Sequence, residues 1–191
     1  IQEDAWLNYA KISYEIGNPY QSAPQVLAGY LDEYPNTPYK EEIETLLIDS
    51  YITSKNYKEA LKLLEGKKNF ENKVAYQKVA FYRGIELYNE TQYQEASLLF
   101  DESLKEPRDP KYTARATFWK AETDYNLTNY EDALIGFKQF QQQASSASIP
   151  EIENIDYNLA YTYFKLKNYS QATSYFQKFI DNHKININQQ R

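Results

Sequence analysis

One short pattern recurs five times along the chain: a tyrosine, an alanine three residues later, and a bulky side chain four residues after that. The five copies are Tyr20/Ala23/Leu27, Tyr57/Ala60/Leu64, Tyr93/Ala96/Phe100, Tyr130/Ala133/Phe137 and Tyr169/Ala172/Phe176. Neighbouring copies lie 36 to 39 residues apart. A nearly fixed period of this length indicates stacked supersecondary units, each of which buries its apolar face against the next.

A second feature accompanies each alanine: a small or apolar residue twelve positions before it and a bulky one eight positions before it. These pairs are Ala10/Tyr14, with one extra residue in the following turn, then Ile48/Ile52, Gly84/Tyr88, Ala121/Tyr125 and Ala160/Phe164. Because four residues make about one helical turn, the spacing predicts two amphipathic helices per repeat, with the small residues where their axes approach most closely. The turns between them are short and polar, which favours antiparallel hairpins.

The predicted fold class is therefore all-α. With only 5 Gly and 7 Pro, the chain has few of the turn-forming residues that the many turns of a sheet protein require. We predict helices near 3–17, 20–34, 38–54, 57–66, 71–90, 93–105, 110–127, 130–144, 150–166 and 169–183. They form one array over 1–191, with repeats at about 3–36, 37–69, 70–108, 109–147 and 148–183. The tail after His183 has no pattern and is expected to be frayed or cut from a continuing array, so the chain is expected to be part of a longer one.

The repeated motif, the small residue before it and the prolines between repeats resemble the tetratricopeptide repeat over about residues 5–183, although the period exceeds that family's usual ~34 residues. The resemblance implies an α-solenoid of about five hairpins forming a right-handed superhelix, with first helices lining a concave groove. It also implies a non-catalytic scaffold that binds a protein or peptide partner. Residues 30–38 and 118–125 are similar to bacterial cell-envelope members, and the richness in Tyr, Asn and Lys resembles Bacteroidetes proteins. Periplasm or cell envelope is therefore favoured over cytoplasm.

Composition argues against several other functions. A net charge of -6 disfavours nucleic-acid binding, and no stretch approaches the roughly 20 apolar residues of a membrane span. The chain has no Cys and a single histidine, His183, so neither a thiolate metal site nor a histidine-based catalytic triad can be assembled from it alone. We expect no enzymatic activity, no metal and no cofactor.

Helical geometry predicts a stripe of groove residues about 100° from the side that faces the paired helix. In the third, fourth and fifth repeats the candidates for partner binding are Lys78, Tyr82, Ile85, Asn89, Arg115, Trp119, Glu122, Asn126, Asn158 and Tyr161. Two cations beside two rings predict a site for a carboxylate and an apolar side chain of an extended peptide. Alternatively, Tyr82 and Trp119 pack between neighbouring helices and the cations are solvated surface.

Two other functions stay open. The first is glycan binding through Tyr and Trp rings, although the longest inter-repeat stretch, Gln141–Pro150, is short and polar for a sugar site. The second is a structural spacer or homo-oligomer, because exposed tyrosines at the array ends could self-associate. The Lys/Asn/Arg clamp by which some members of the resembling family hold a terminal carboxylate is not reproduced, since the second repeat offers Glu42 and Asp49 there.

Overall fold

The computed structural model describes residues 1–67, 69–143 and 149–189, and within them all side chains except those of residue 70 and residues 183–189. This part of the chain is all-α and contains no strand, which confirms the predicted fold class. Its helices are α1 (Gln2–Ile16), α2 (Ala23–Glu33), α3 (Lys40–Thr53), α4 (Tyr57–Leu64), α5 (Phe70–Asn89), α6 (Tyr93–Lys105), α7 (Pro110–Asn126), α8 (Tyr130–Gln143), α9 (Ile155–Lys165) and α10 (Tyr169–Gln189).

Four hairpin turns share one backbone geometry. After α5, for example, the Thr91 N–H donates to the Tyr88 carbonyl and the Gln92 N–H to the Leu87 carbonyl, each at 2.9 Å. This pair of bonds is the Schellman motif, in which the residue after the helix adopts a left-handed conformation. The left-handed residues are Lys55, Thr91, Thr128 and Lys167, with φ of 59°, 60°, 67° and 60°.

The tyrosine of the repeated motif closes these turns. In the later hairpins its ring packs edge-on against the bulky residue five positions earlier: Tyr88–Tyr93 and Tyr125–Tyr130 at 5.3 Å, and Phe164–Tyr169 at 5.7 Å between ring centroids. Edge-to-face pairs at this distance are favourable beyond the area they bury. The last three copies of the motif therefore share one aromatic contact across the hairpin turn.

The small residues of the pattern lie where paired helices touch. A Cβ added to Gly84 would lie 2.7 Å from the Phe100 ring, so only glycine lets α5 and α6 approach this closely. A Cβ added to Gly136 on α8 would likewise lie 2.8 Å from the methyl group of Ala121. The predicted close approach at Gly84 and Ala121 is thus confirmed.

Several helix limits differ from the predicted ones. The second helix begins at Ala23 rather than at 20, because Gln25 Oε1 accepts from the Ser22 N–H at 3.0 Å and Pro24 occupies the first turn. Tyr20 is left in the turn, 91% exposed. The predicted helix 150–166 is divided into a 3₁₀ helix, Pro150–Asn154, and α9. The last helix continues past 183 to Gln189, since no proline or glycine stops it.

The chain divides into two compact units, Ile1–Val79 and Ala80–Arg191. The first unit is organised around a core that contains Leu27, Tyr30 and Ile43, contributed by α2 and α3. The second unit has one cluster around Phe81 and Phe100, and another whose members include Phe118, Phe137, Phe140, Ile155 and Leu159. That the repeats form a single array stays a prediction.

Candidate functional site

Nine of the ten predicted groove residues belong to the second unit, on the first helices of its hairpins. We call this set the first-helix strip: Tyr82, Ile85, Asn89, Arg115, Trp119, Glu122, Asn126, Asn158 and Tyr161, carried by α5, α7 and α9. Asn89, Asn126 and Tyr161 are exposed, and the other six are partly buried. Lys78, the tenth residue, belongs to the first unit and is partly buried on α5.

Arg115 is paired inside the chain. Its Nε donates to Oε1 of Glu151 at 2.8 Å, and the Trp119 indole N–H donates to the same oxygen at 3.0 Å. The guanidinium also lies 4.8 Å from the centroid of the Phe81 ring. Glu151 is buried, on the 3₁₀ helix before α9. Arg115, which we predicted would bind a carboxylate of a partner, therefore already binds the carboxylate of Glu151.

Tyr82 and Trp119 pack between neighbouring first helices, in the way that the alternative interpretation expected. Trp119 lies edge-on to Tyr88 with centroids 5.1 Å apart, and Tyr82 lies edge-on to Tyr112 at 5.8 Å. The hydroxyls of Tyr82 and Tyr112 are 3.3 Å apart. The other half of that interpretation does not hold for Arg115, because its cation is paired rather than solvated.

Glu122 is the centre of a polar network that joins three first helices. The Tyr88 hydroxyl on α5 donates to its Oε2 at 3.3 Å, and the Asn158 amide on α9 donates to its Oε1. Asn126 Nδ2 donates to the Tyr88 hydroxyl at 3.0 Å and to the Glu122 carbonyl at 2.8 Å. Burial raises the pKa of the Glu122 carboxyl to about 7, an effect that the hydrogen bond from Tyr88 partly offsets.

A cleft with a volume of about 310 Å³ opens beside this carboxylate. We call it the Glu122 cleft, and its lining residues are Glu122, Tyr125, Phe137, Tyr157, Asn158 and Tyr161. Tyr157 and Tyr161 are 42% and 38% exposed, with ring centroids 4.6 Å apart. The side-chain oxygen of Asn158 is buried and accepts no hydrogen bond from the described part of the chain.

Sequence reasoning found three of the six lining residues and missed the rest. Glu122, Asn158 and Tyr161 were placed in the strip, whereas Tyr125 and Phe137 were assigned to contacts within a hairpin and Tyr157 was not singled out. Tyr157 stands 39 residues after Phe118, in the register that separates the fourth and fifth copies of the motif. The signal in the sequence that could have identified Tyr157 is thus its position, which is occupied by Phe118 one repeat earlier.

Where side chains are described, no group of three or more His, Cys, Asp and Glu is placed to hold a metal ion. None of the helices traced over 1–67, 69–143 and 149–189 combines the length and apolarity needed to cross a bilayer. The residues that line the Glu122 cleft offer hydrogen bonding, a carboxylate and aromatic contact.

Comparison with known proteins supports the repeat assignment. The profile of the tetratricopeptide repeat family matches residues 156–184, which cover most of α9 and much of α10. Similar solved structures include MamA AMB-1, with a TM-score of 0.61 and 16% identity over 96% of this chain and 92% of that one. MamA from Desulfovibrio magneticus RS-1, residues 41 to the end, has a TM-score of 0.56 and 15% identity over 96% of each chain.

A third similar structure is that of PilF from Pseudomonas aeruginosa, with a TM-score of 0.52 and 17% identity over 94% of this chain and 75% of that one. No curated protein has significant sequence similarity to the chain. At these identities the structural likeness concerns the fold, and it agrees with the helical hairpins that the repeated motif predicted. A Bacteroidetes origin stays a prediction.

Proposed function

We propose that the chain is a non-catalytic scaffold that binds a partner polypeptide along the first-helix strip of its second unit. The observation that carries the proposal is the Glu122 cleft, a concave site in which a carboxylate, an amide and several aromatic rings converge. Sites with this mixture of apolar lining and a few placed polar groups are typical of ligand recognition, and tyrosine is enriched among residues that dominate protein interfaces.

The structure changes where we expect the partner to bind. Arg115 is neutralised by Glu151, and a carboxylate from a partner would have to displace that buried ion pair. Glu122 forms no ion pair within the described residues, and the tyrosines beside it are accessible. We therefore place the centre of the proposed site at Glu122 and Tyr161 rather than at Lys78 and Arg115.

Site-specific photo-crosslinking tests this placement. Replacing Tyr161 with p-benzoylphenylalanine keeps a large para-substituted ring at an accessible position of the cleft, and Tyr20, exposed in the first hairpin turn, provides a matched control. We expect position 161 to crosslink one discrete polypeptide in cells of the source organism, and position 20 to crosslink none. An excess of the chain without the photoreactive residue should abolish the crosslink from position 161. Identical products at both positions, or none at 161, would contradict the proposal.

A second candidate function is self-association through the last hairpin. Phe118, Phe137 and Phe140 are buried in the cluster that α9 completes, with exposures of 5%, 0% and 0%. The residues 39 positions later, Tyr157, Phe176 and Phe179, present similar rings that are exposed or only partly buried. The aromatic face of the fourth hairpin is thus covered by α9, whereas the equivalent face of the last hairpin is at least partly exposed.

We propose a second copy of the chain as the occupant of this face, because the first hairpin exposes Tyr9, Ile12 and Ile16 along one side of α1. Light scattering over a wide concentration range should then give a mass that rises with concentration, and Ile12→Lys should abolish the rise. A monomeric mass at every concentration would exclude this candidate.

Two finer expectations also remain proposals. For glycan binding, residues 144–148 of the inter-repeat stretch 141–150 lie outside the described residues, and a glycan array is the direct test. For the cell envelope, which rests on the resemblance of segments such as 30–38, fractionation of the source organism with an antibody to the chain gives a direct answer.

A further inference from the structure

We infer that the Glu122 cleft receives a basic side chain of the partner polypeptide, so that the proposed site recognises a cation instead of the carboxylate that the sequence suggested. The inference rests on the proposed function, because it names the chemistry of the residue that the scaffold would bind. Three independent features of the cleft support it: an unpaired carboxylate, aromatic walls and a buried amide oxygen that lacks a donor.

The carboxylate has unused acceptor capacity. An ionised carboxylate can accept about four hydrogen bonds, and those described for Glu122 are one from Tyr88 and one from Asn158. The partly buried carboxylate of Glu44, by contrast, has Lys67 as its cation, and Glu151 has Arg115. Within the part of the chain that the structure describes, Glu122 has no such cation. A basic side chain entering the cleft would supply one.

The aromatic lining suits a cation as well. Tyr125, Tyr157 and Tyr161 surround the opening, and the faces of such rings attract ammonium and guanidinium groups. The exposed rings of Tyr157 and Tyr161 also provide an apolar surface against which the methylene stem of a lysine or arginine can pack. A carboxylate would gain nothing from these rings and would face the charge of Glu122.

The amide oxygen of Asn158 completes the set. It is buried without a hydrogen-bond donor among the described residues, and buried polar atoms of this kind normally have a partner. An ammonium group carries three N–H donors and can share them between this oxygen and the carboxylate. The net charge of -6 would also favour the approach of a basic partner.

Protonation gives the inference a separate readout. Because a bound cation favours the ionised form of Glu122, whose pKa is about 7, binding should strengthen as pH rises. Among the described residues, the other titratable groups that contact Glu122 or line its cleft are phenols, namely Tyr88 on α5, Tyr125 on α7 and both Tyr157 and Tyr161 on α9. Burial raises the pKa of Tyr88 and Tyr125 above the ordinary phenol range, so these groups stay neutral near pH 7.

The test uses the whole chain labelled with ¹⁵N and three small probes. These are Nα-acetyl-lysine methylamide, whose side-chain ammonium is free, and its norleucine and glutamate analogues. We expect saturable shifts of the Asn158 side-chain N–H signals with the lysine probe alone. Its affinity should be about tenfold higher at pH 8 than at pH 6, the ratio of ionised fractions for a pKa near 7. Glu122→Gln should remove the shifts, whereas Glu131→Gln, on the exposed first turn of α8, should leave them unchanged.

Equal shifts with the norleucine probe, a preference for the glutamate probe, or no shift up to tens of millimolar would each overturn the inference. The two proposals fail in different experiments. If position 161 crosslinks a partner but the lysine probe does not bind, the scaffold stands and its ligand is not basic. If the lysine probe binds but no partner is crosslinked, the cation site stands and the scaffold function fails.

Discussion

Glu122 shows how one buried side chain can link stability to pH. In the unfolded chain its carboxyl titrates near 4.5, whereas in the folded chain burial raises its pKa to about 7. Between these values the folded state binds more protons than the unfolded state, so the free energy of unfolding falls as pH rises and stops falling once Glu122 is ionised in both states. The full effect is at most about 3 kcal/mol.

Urea unfolding of the wild type and of Glu122→Gln at pH 5, 6, 7 and 8 measures this contribution. Glutamine keeps the shape of the side chain but does not titrate, so the stability gap between the two proteins should shift in favour of the variant as pH rises, by at most about 3 kcal/mol. Parallel pH profiles of the two proteins would show that Glu122 ionises with an ordinary pKa.

Thr91 occupies a conformation that its side chain disfavours. Its φ of 60° is left-handed, which is a clear outlier for a β-branched residue and costs a non-glycine residue roughly 1–2 kcal/mol. Glycine removes that strain but increases the conformational freedom of the unfolded chain, by roughly 0.5–1 kcal/mol. We therefore expect Thr91→Gly to raise the free energy of unfolding by about 0.5–1 kcal/mol.

Thr91→Ala is the control for this substitution, because alanine keeps a Cβ and most of the left-handed strain. Thermal and urea unfolding should give less than half of the stabilisation seen with glycine. A Thr91→Gly variant that is less stable than the wild type would mean that the threonine side chain makes a favourable contribution larger than its backbone cost.

At the scale of helices, Gly84 determines how closely α5 and α6 can pack. A methyl group there would lie 2.7 Å from the ring of Phe100, which is fully buried and has little room to move. Gly84→Ala should therefore lower the free energy of unfolding by roughly 1–3 kcal/mol, although alanine is the better helix former by about 1 kcal/mol.

Gly29, inside α2, is the matched control. An added Cβ there would meet Trp6 at 3.7 Å, an ordinary van der Waals distance. Gly29→Ala should therefore be neutral or stabilising by up to about 1 kcal/mol in the same urea titration. Equal effects of the two substitutions would show that the approach of α5 to α6 is less tight than the structure indicates.

The hairpins could be predicted from the sequence because their determinants are local. The motif tyrosine and the small residues recur at helical spacing, and the short turns allow only an antiparallel arrangement of the paired helices. The start of α2 was missed because the capping by Ser22 and Gln25 outweighed the motif tyrosine. The pairing of Arg115 with Glu151 is a different case, since it joins two residues 36 positions apart. Helical periodicity predicts which face a side chain occupies but not which residue of the next repeat it meets.

At the scale of the whole chain, each of the two units has its own core. Phe137, fully buried in the second unit, is the large side chain of the fourth motif, and Phe137→Ala should cost about 3–5 kcal/mol. Leu27, fully buried in the first unit, is the corresponding residue of the first motif. In repeat proteins each element is stabilised mainly by its neighbours, so the loss should be regional.

Hydrogen exchange followed by mass spectrometry distinguishes regional from global loss. For Phe137→Ala we expect protection to fall most in α7, α8 and α9, and for Leu27→Ala in α1, α2 and α3. If either substitution instead lowered protection to the same extent throughout both units, the chain would unfold as one cooperative body. The opposite regional patterns are expected because the two side chains belong to separate clusters, and burial of a large apolar side chain stabilises most strongly the helices that it contacts.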